Sequence, residues 1–278
     1  MGTLNIVSFG GGVQSTALAA MVLEGFLPRP DLWVFADTGD EPVDVYSHVL
    51  KWREKIEGAG MEFRIVHRTD PPESLSAHVL SRIEKGLGGV NYPPLYVKRE
   101  KRPGRMPIWR GCTKAFKSRV LDKEARKFAK VPRGYKGEPL VKKWLGISYD
   151  EMGRMKVSQD KWFEFWYPLV EYKITRAKCL QFLENLGESA PRSACVYCPF
   201  HSDKEWSRVK QNAEDWEKVV KFEKELHRIW DKNGGFGGLR SRPTLHKSGL
   251  PIDEVDFSDK QADLFNNWDQ ECAGICGV

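Results

Sequence analysis

Two short stretches carry residue types that do chemistry: "SFGGGVQST" at residues 8–16 and "CVYC" at 195–198. In the first, glycines let the backbone approach a ligand, and the N–H groups of the helix that follows favour an anion. No Lys-Ser or Lys-Thr pair follows the glycines, which excludes a Walker loop. Gly10-x-Gly12-x-x-Ser15 is close to a dinucleotide fingerprint, and "DLWVFAD" ends in Asp37, where a ribose-binding acid would stand. A phosphate, a dinucleotide and a tight turn that holds nothing are all open at this loop. In the second stretch, two residues between thiols let both sulfurs reach one metal from a single turn. One pair cannot complete a tetrahedral site, and Cys112, Cys272 and Cys276 are the other thiols in glycine- or proline-flanked segments. Cys179 sits in the helical pattern "ITRAKCLQFLENLG" and reads as a core thiol. Structural zinc and an iron–sulfur cluster both suit such thiolates.

The elements that must position these residues alternate. Residues 4–7 read as a strand and 16–23 as a helix apolar on every face. Strands follow at 31–37 and 61–67, with an amphipathic helix at 41–60 between them. Residues 71–86 and 113–130 read as helices and 141–150 as a later strand. This alternation predicts an α/β fold, a doubly wound and mostly parallel sheet with helices on both faces. Residues 88–111, rich in Pro, Gly and basic side chains, read as a long functional loop. From about 187 the texture changes to Cys, Pro and aromatic residues around one helical stretch at 203–229, broken by "NGGFGG". The expected organisation is a nucleotide-binding α/β domain over 1–186 and a small Cys-rich helical subdomain over 187–278.

A chain of 278 residues with 41% hydrophobic content is long and apolar enough for a substantial core. No apolar run approaches a membrane span and no signal peptide precedes the first strand, so a cytoplasmic protein without a membrane partner is expected. There cysteines are metal ligands or catalytic thiols rather than disulfides, with Cys179 set aside as a core thiol. The net charge of +6 is unevenly spread, because residues 98–119 hold nine Lys or Arg against Glu100 alone. Such a loop steers anions, and with Tyr92, Tyr96 and Trp109 interleaved it suits a strand of tRNA or DNA. His201, just after "CPF", reads as the cap of the next helix, with ligand and general acid as the alternatives.

Taken in order, "SFGGGVQST", "VFADTGDE", "GCTKAFK", "LGISYDEMGRM", "FWYPLVE" and "SACVYCPFHSDKEW" cover most of residues 5–210. Together they resemble the motifs of the phosphoadenosine phosphosulfate (PAPS) reductase-like branch of the adenine-nucleotide α-hydrolase, or PP-loop, superfamily. The resemblance implies about five strands with an adenine nucleotide, ATP or PAPS, at their carboxyl ends, and possible Mg²⁺. By position it implies a phosphate site lined by Ser8, Gly10, Gly11, Gly12, Gln14, Ser15 and Thr16, with Asp37, Thr38, Gly39 and Glu41 at the neighbouring strand end. Lys117, Asp150, Glu151 and Arg154 would face the same cleft as catalytic residues. A cluster, 4Fe–4S in kind, would take Cys112, Cys195 and Cys198, with Cys276 or Cys272 from the tail. The loop departs from the family's Ser-Gly-Gly-x-Asp-Ser, since Gly10 and Gln14 replace its first Ser and its Asp. The tail "ECAGIC" is similar to, but not the same as, the family's Glu-Cys-Gly context.

Two mechanisms fit the resemblance. In one, nucleotide cleavage at the α-phosphate activates a nucleic acid or nucleotide for sulfur transfer. In the other, the Cys272 thiolate attacks a sulfonucleotide and sulfite is released, with a sulfur or electron donor protein as partner. A third reading, from a different class, is a non-enzymatic zinc-bearing module that binds nucleic acid.

Overall fold

The structure, a computed structural model, describes residues 2–69, 73–87, 95–98, 103–105, 111–235 and 241–258. Strand and helix alternate as β1 (Leu4–Ser8), α1 (Val13–Leu23), β2 (Leu32–Asp37), α2 (Val43–Gly58), β3 (Phe63–His67) and α3 (Leu75–Glu84). Two short strands follow, β4 (Tyr96–Lys98) and β5 (Pro103–Arg105). Then α4 (Gly111–Thr113) passes through a π turn (Lys114–Ser118) into α5 (Arg119–Phe128). Next come β6 (Val141–Leu145), a 3-10 turn (Tyr149–Arg154), β7 (Phe163–Trp166), α6 (Pro168–Glu171) and α7 (Arg176–Asn185). The last elements are α8 (Asp203–Gln211), α9 (Ala213–Asn233), β8 (Pro243–Thr244) and a second 3-10 turn (Ile252–Glu254).

The main sheet has five strands, all parallel, in the order β3-β2-β1-β6-β7. Its strands alternate which face they bury, as the two-residue period of a pleated strand requires. Val7, Trp33, Phe35, Phe63 and Trp144 face a core shared with α1, α2 and α7. Ile6, Leu32, Val34, Val141 and Phe163 face the other way, against Val120, Leu121 and Ala125 of α5. Helices therefore cover both faces. α1, buried from Val13 to Val22, is apolar all round because it is enclosed between the sheet, α2 and α7.

A separate core joins α3, α8 and α9 around Trp206, Phe222 and Leu226. It draws on both sides of residue 187, taking Val79 and Phe116 from one side and Val196 and Tyr197 from the other. No helix among the described residues is long and apolar enough to cross a membrane.

Three expectations from the sequence are corrected. The stretch 203–229 is two helices, because Asn212 leaves the helical conformation and its side chain accepts from the Asp215 N–H, capping α9. The long loop 88–111 contains β4 and β5, which pair antiparallel, and β4 also pairs with β8. At three residues each, and with β5 reading Pro-Gly-Arg, they are too short to register as strands by pattern, and β8, the second partner of β4, lies far along the chain. The strand expected over 141–150 ends at Leu145, and the rest becomes the 3-10 turn that carries Asp150 and Glu151. Gly234 ends α9 in the left-handed conformation, in keeping with the glycine break read there.

Candidate functional site

The strand order reverses between β1 and β6, the position in the order at which open α/β sheets bind ligands beyond their carboxyl ends. The glycine loop leaves β1 there. α1 starts at Gly12 without a side-chain cap and without an acid of its own in the first turn. Gly146, just past β6, passes so close that an added Cβ would stand 3.0 Å from the Ser15 nitrogen and 3.2 Å from the Gln14 carbonyl carbon. Only glycine allows that backbone approach.

The side chains of the loop divide by direction. Ser8 and Gly10 line a recess of about 20 Å³ together with Lys117, room for one water-sized group. The Ser15 hydroxyl bonds the Gly12 carbonyl at 3.1 Å, and the Gly10 carbonyl accepts from Ser193. Thr16 points away, paired with His48 Nε2 at 2.8 Å under α2. Gln14 is buried and spent: its amide donates to Glu151 at 2.8 Å and its oxygen accepts from Arg176 at 3.0 Å. Gly11 is required for a reason other than ligand approach. Its φ is +74°, and a Cβ there would meet Val49 at 3.0 Å and Val45 at 3.5 Å.

Of Asp150, Glu151 and Arg154, Glu151 bonds the first turn of α1 through Gln14, and the other two face neighbouring protein groups. Arg154 donates to Glu151 at 2.7 Å, and the Arg176 amide donates to Asp150 at 3.0 Å. Burial pushes the Asp150 carboxyl up, yet hydrogen bonds from Ser148 and the Arg176 amide prevail and hold it below the usual range. This network orients the first turn of α1 through Gln14.

The other side of the loop is different. Lys117 lies in the π turn, an irregularity that turns it toward the β2 end. Its ammonium is 3.1 Å from Glu41 Oε1, and Thr38 also donates to that oxygen at 3.1 Å. Glu41 is fully buried, and its second oxygen has no hydrogen-bond partner among the described residues. Cys195 lies beside this pair. A hydrogen bond with Cys198 lowers its thiol pKa, but burial and the charges of Glu41 and Cys112 outweigh it and leave the pKa raised. Cys112, Cys195 and Cys198 thus share one neighbourhood with Lys117 and Glu41.

Local sequence explains how the thiols are presented. Val196 and Tyr197 plug into the second core, Tyr197 stacked on Phe222 at 4.4 Å, which leaves the flanking cysteines at its margin. The loop closes on itself through the Cys198 N–H to the Cys195 carbonyl at 3.0 Å. His201 does not cap α8; Ser202 does, accepting from Glu205. Instead His201 Nε2 bonds the Cys195 carbonyl at 3.0 Å, with the ring edge-on to Trp206.

One organising residue escaped the sequence reading. Asp40 accepts from the Ser76 amide at 2.7 Å, the Ser76 hydroxyl at 2.8 Å and the Tyr197 hydroxyl at 2.5 Å. Its carbonyl also accepts from the Val196 N–H at 2.8 Å. It ties the end of β2, the start of α3 and the cysteine loop together. The only sequence signal was a third polar residue in "DTGDE". At the neighbouring positions, Asp37 accepts from Gly39 and Tyr46, and Gly39 (φ +76°) packs with no room for a Cβ, which would stand 2.8 Å from Ser74.

Among the described residues no three Cys, His, Asp or Glu side chains converge closely enough to hold a metal ion. Cys112, Cys195 and Cys198 are thiolate donors in type but do not by themselves form such a group, and Cys272 and Cys276 lie outside the described residues. Arg99–Arg102 and Trp109 of the basic loop, and Tyr92, also lie outside them, and Tyr96 is buried rather than presented for stacking. No protein-family model matches the chain, and no curated protein matches it.

His48, beneath Thr16, makes the start of α1 sensitive to pH. Burial first, then the Lys51 charge, lowers its pKa from 6.5 to about 4. Above pH 6.5 both folded and unfolded chains hold it neutral. As pH falls from 6.5 to about 4 only the unfolded chain gains the proton, so stability is lost across that window, by up to about 3 kcal/mol. Chemical denaturation at pH 7 and pH 4.5 should show His48→Gln losing less stability than the parent. Equal losses in both proteins would exclude this assignment.

Proposed function

We propose that this chain is a PAPS reductase-like enzyme that binds an adenine nucleotide at the glycine loop and carries out iron–sulfur-dependent sulfur chemistry beside it, in the reducing cytoplasm. The position of Lys117 carries the reading. It lines the recess with Ser8 and Gly10 and pairs with the buried Glu41 next to Cys195, so anion loop and thiols share one cation. One phosphate oxygen in the recess would meet the Lys117 ammonium beside the start of α1, with the rest of the anion outside it. Cys112, Cys195 and Cys198 would hold the cluster, with Cys276 or Cys272 as the fourth ligand; when bound, it would supply electrons or handle sulfur.

In the first mechanism an acceptor attacks the α-phosphate, pyrophosphate leaves, and sulfur later displaces the nucleotide from the activated acceptor. Lys117 would offset the charge that develops on the phosphate oxygens. One observation favours the second mechanism. Gln14 offers no carboxylate to Mg²⁺, and its amide is engaged by Glu151 and Arg176. In that mechanism the Cys272 thiolate attacks the sulfur of a sulfonucleotide and displaces the nucleotide, and a thiol of a donor protein then releases sulfite as a disulfide forms.

Calorimetry with ATP, PAPS and NAD tests the nucleotide. Either adenine phosphate should bind more tightly than NAD. Gly10→Ala is the informative variant, because its Cβ would meet only the Ser15 and Ser193 hydroxyls, at 3.8 and 4.0 Å. It should keep the fold and lower affinity by about tenfold or more, since it narrows the approach to the recess. Tighter binding of NAD than of both others would return the loop to the dinucleotide reading.

A further inference from the structure

A second feature opens at the same end of the sheet, outside the site above. A groove of about 500 Å³ runs between the end of β3 and the face of α5. Arg119, Lys123 and Lys127 line it at spacings of four residues, so they form one stripe along the helix, about one turn apart. Arg68 adds a fourth cation, its guanidinium over the Phe116 ring at 4.9 Å. Lys123 reaches across the groove to the Thr69 hydroxyl at 3.0 Å. The one carboxylate lining it, Glu124, is already paired with Arg64.

A solvated helix face normally mixes both signs, and α9 does so. Lys218 pairs with Glu214, Lys224 with Asp253, and Arg228 with Glu225. No carboxylate among the described residues pairs with Arg119, Lys123 or Lys127. Like charges one turn apart repel and cost helix stability, so the stripe weakens the isolated helix that carries it. Its floor is apolar, formed by Val66, Val120 and neighbours, and His67 is the one ring among the described residues that line it. The segment 98–119, with its nine Lys or Arg, leads directly into this stripe.

We propose that the α5–β3 groove is a track for the phosphate backbone of single-stranded nucleic acid, lying beside the nucleotide site. This rests on the reading above in which a nucleic acid is the acceptor. Phosphates would sit on the three stripe cations and Arg68. With four cations and a single ring, His67, lining the groove, recognition is mainly of the backbone, and affinity depends little on base sequence.

The test uses the full chain, labelled single-stranded DNA and RNA oligonucleotides of mixed and uniform sequence, and a salt titration. The triple variant Arg119→Gln, Lys123→Gln, Lys127→Gln replaces exposed residues with good helix formers and should unfold at the parent's temperature. Losing three phosphate contacts should flatten the log–log salt slope by about 2 and weaken binding roughly 100-fold or more at low salt. ATP and PAPS affinity should stay unchanged. A comparison variant replaces Lys98, Arg99, Lys101 and Arg102 by Ala. If the parent binds strands and only the comparison variant loses them, the groove is not the track, while the nucleic-acid reading stands. If the parent binds no strand at low salt, both are overturned. Equal competition by polyglutamate of matched charge would also overturn the proposal, since the groove would then accept any polyanion.

Discussion

On the proposed cluster assignment, Cys195→Ser protein purified without oxygen is expected to show no iron–sulfur chromophore, whereas Cys179→Ser shows it in full. The two thiols are in opposite surroundings. Cys179 is fully buried in the core between α1, α7 and the sheet, where a thiol acts as a small apolar group. Cys195 sits beside Cys198 and within the electrostatic reach of Cys112, Glu41 and Lys117. Burial and the neighbouring charges raise its thiol pKa despite the hydrogen bond with Cys198, and a bound metal would deprotonate it outright. Serine keeps the shape but removes the soft ligand, so the effect is on the metal before it is on the fold. Absorbance, iron analysis and thermal unfolding of both variants separate these effects. Stoichiometric zinc with no iron in the parent would sink the cluster and move the chain toward the zinc-bearing alternative.

Gly11→Val should be the most damaging single change in the glycine loop, through folding rather than through ligand contact. A valine at a φ of +74° carries about 1–2 kcal/mol of backbone strain. Its Cβ would also begin 3.0 Å from Val49, and overpacking of that kind costs about 1–3 kcal/mol more. The total, about 2–5 kcal/mol, is a large part of the stability of an ordinary domain. Denaturant unfolding reads it directly. Adding Val49→Ala should recover the overpacking part and leave the backbone part, which identifies α2 as the obstacle. A Gly11→Val protein as stable as the parent but unable to bind nucleotide would restore ligand approach as the reason for this glycine.

Much of the site was legible in the chain because its signals are local. Glycines after an apolar strand mark the loop, and two thiols three positions apart mark the second motif. What these residues do to one another was not legible. Gln14 looked like a ligand residue until Glu151 of the 3-10 turn and Arg176 at the start of α7, 137 and 162 positions away, closed around its amide. Thr16 looked like a phosphate ligand until His48 claimed its hydroxyl. Asp40 looked like one polar residue among several, because its partners Ser76 and Tyr197 come from distant segments.

The sequence by itself determined the α/β class, the position of the glycine loop at a helix start and the burial of Cys179, since strand and helix periods and glycine conformations are properties of adjacent residues. Only the tertiary structure decided that Lys117 stands between the loop and the thiols, that Glu41 is buried against it, and that three cations of α5 share a groove with β3. Those relations depend on strand order and on a π turn in the middle of a helix. Both are settled by packing between segments far apart in the chain, where no local pattern records them.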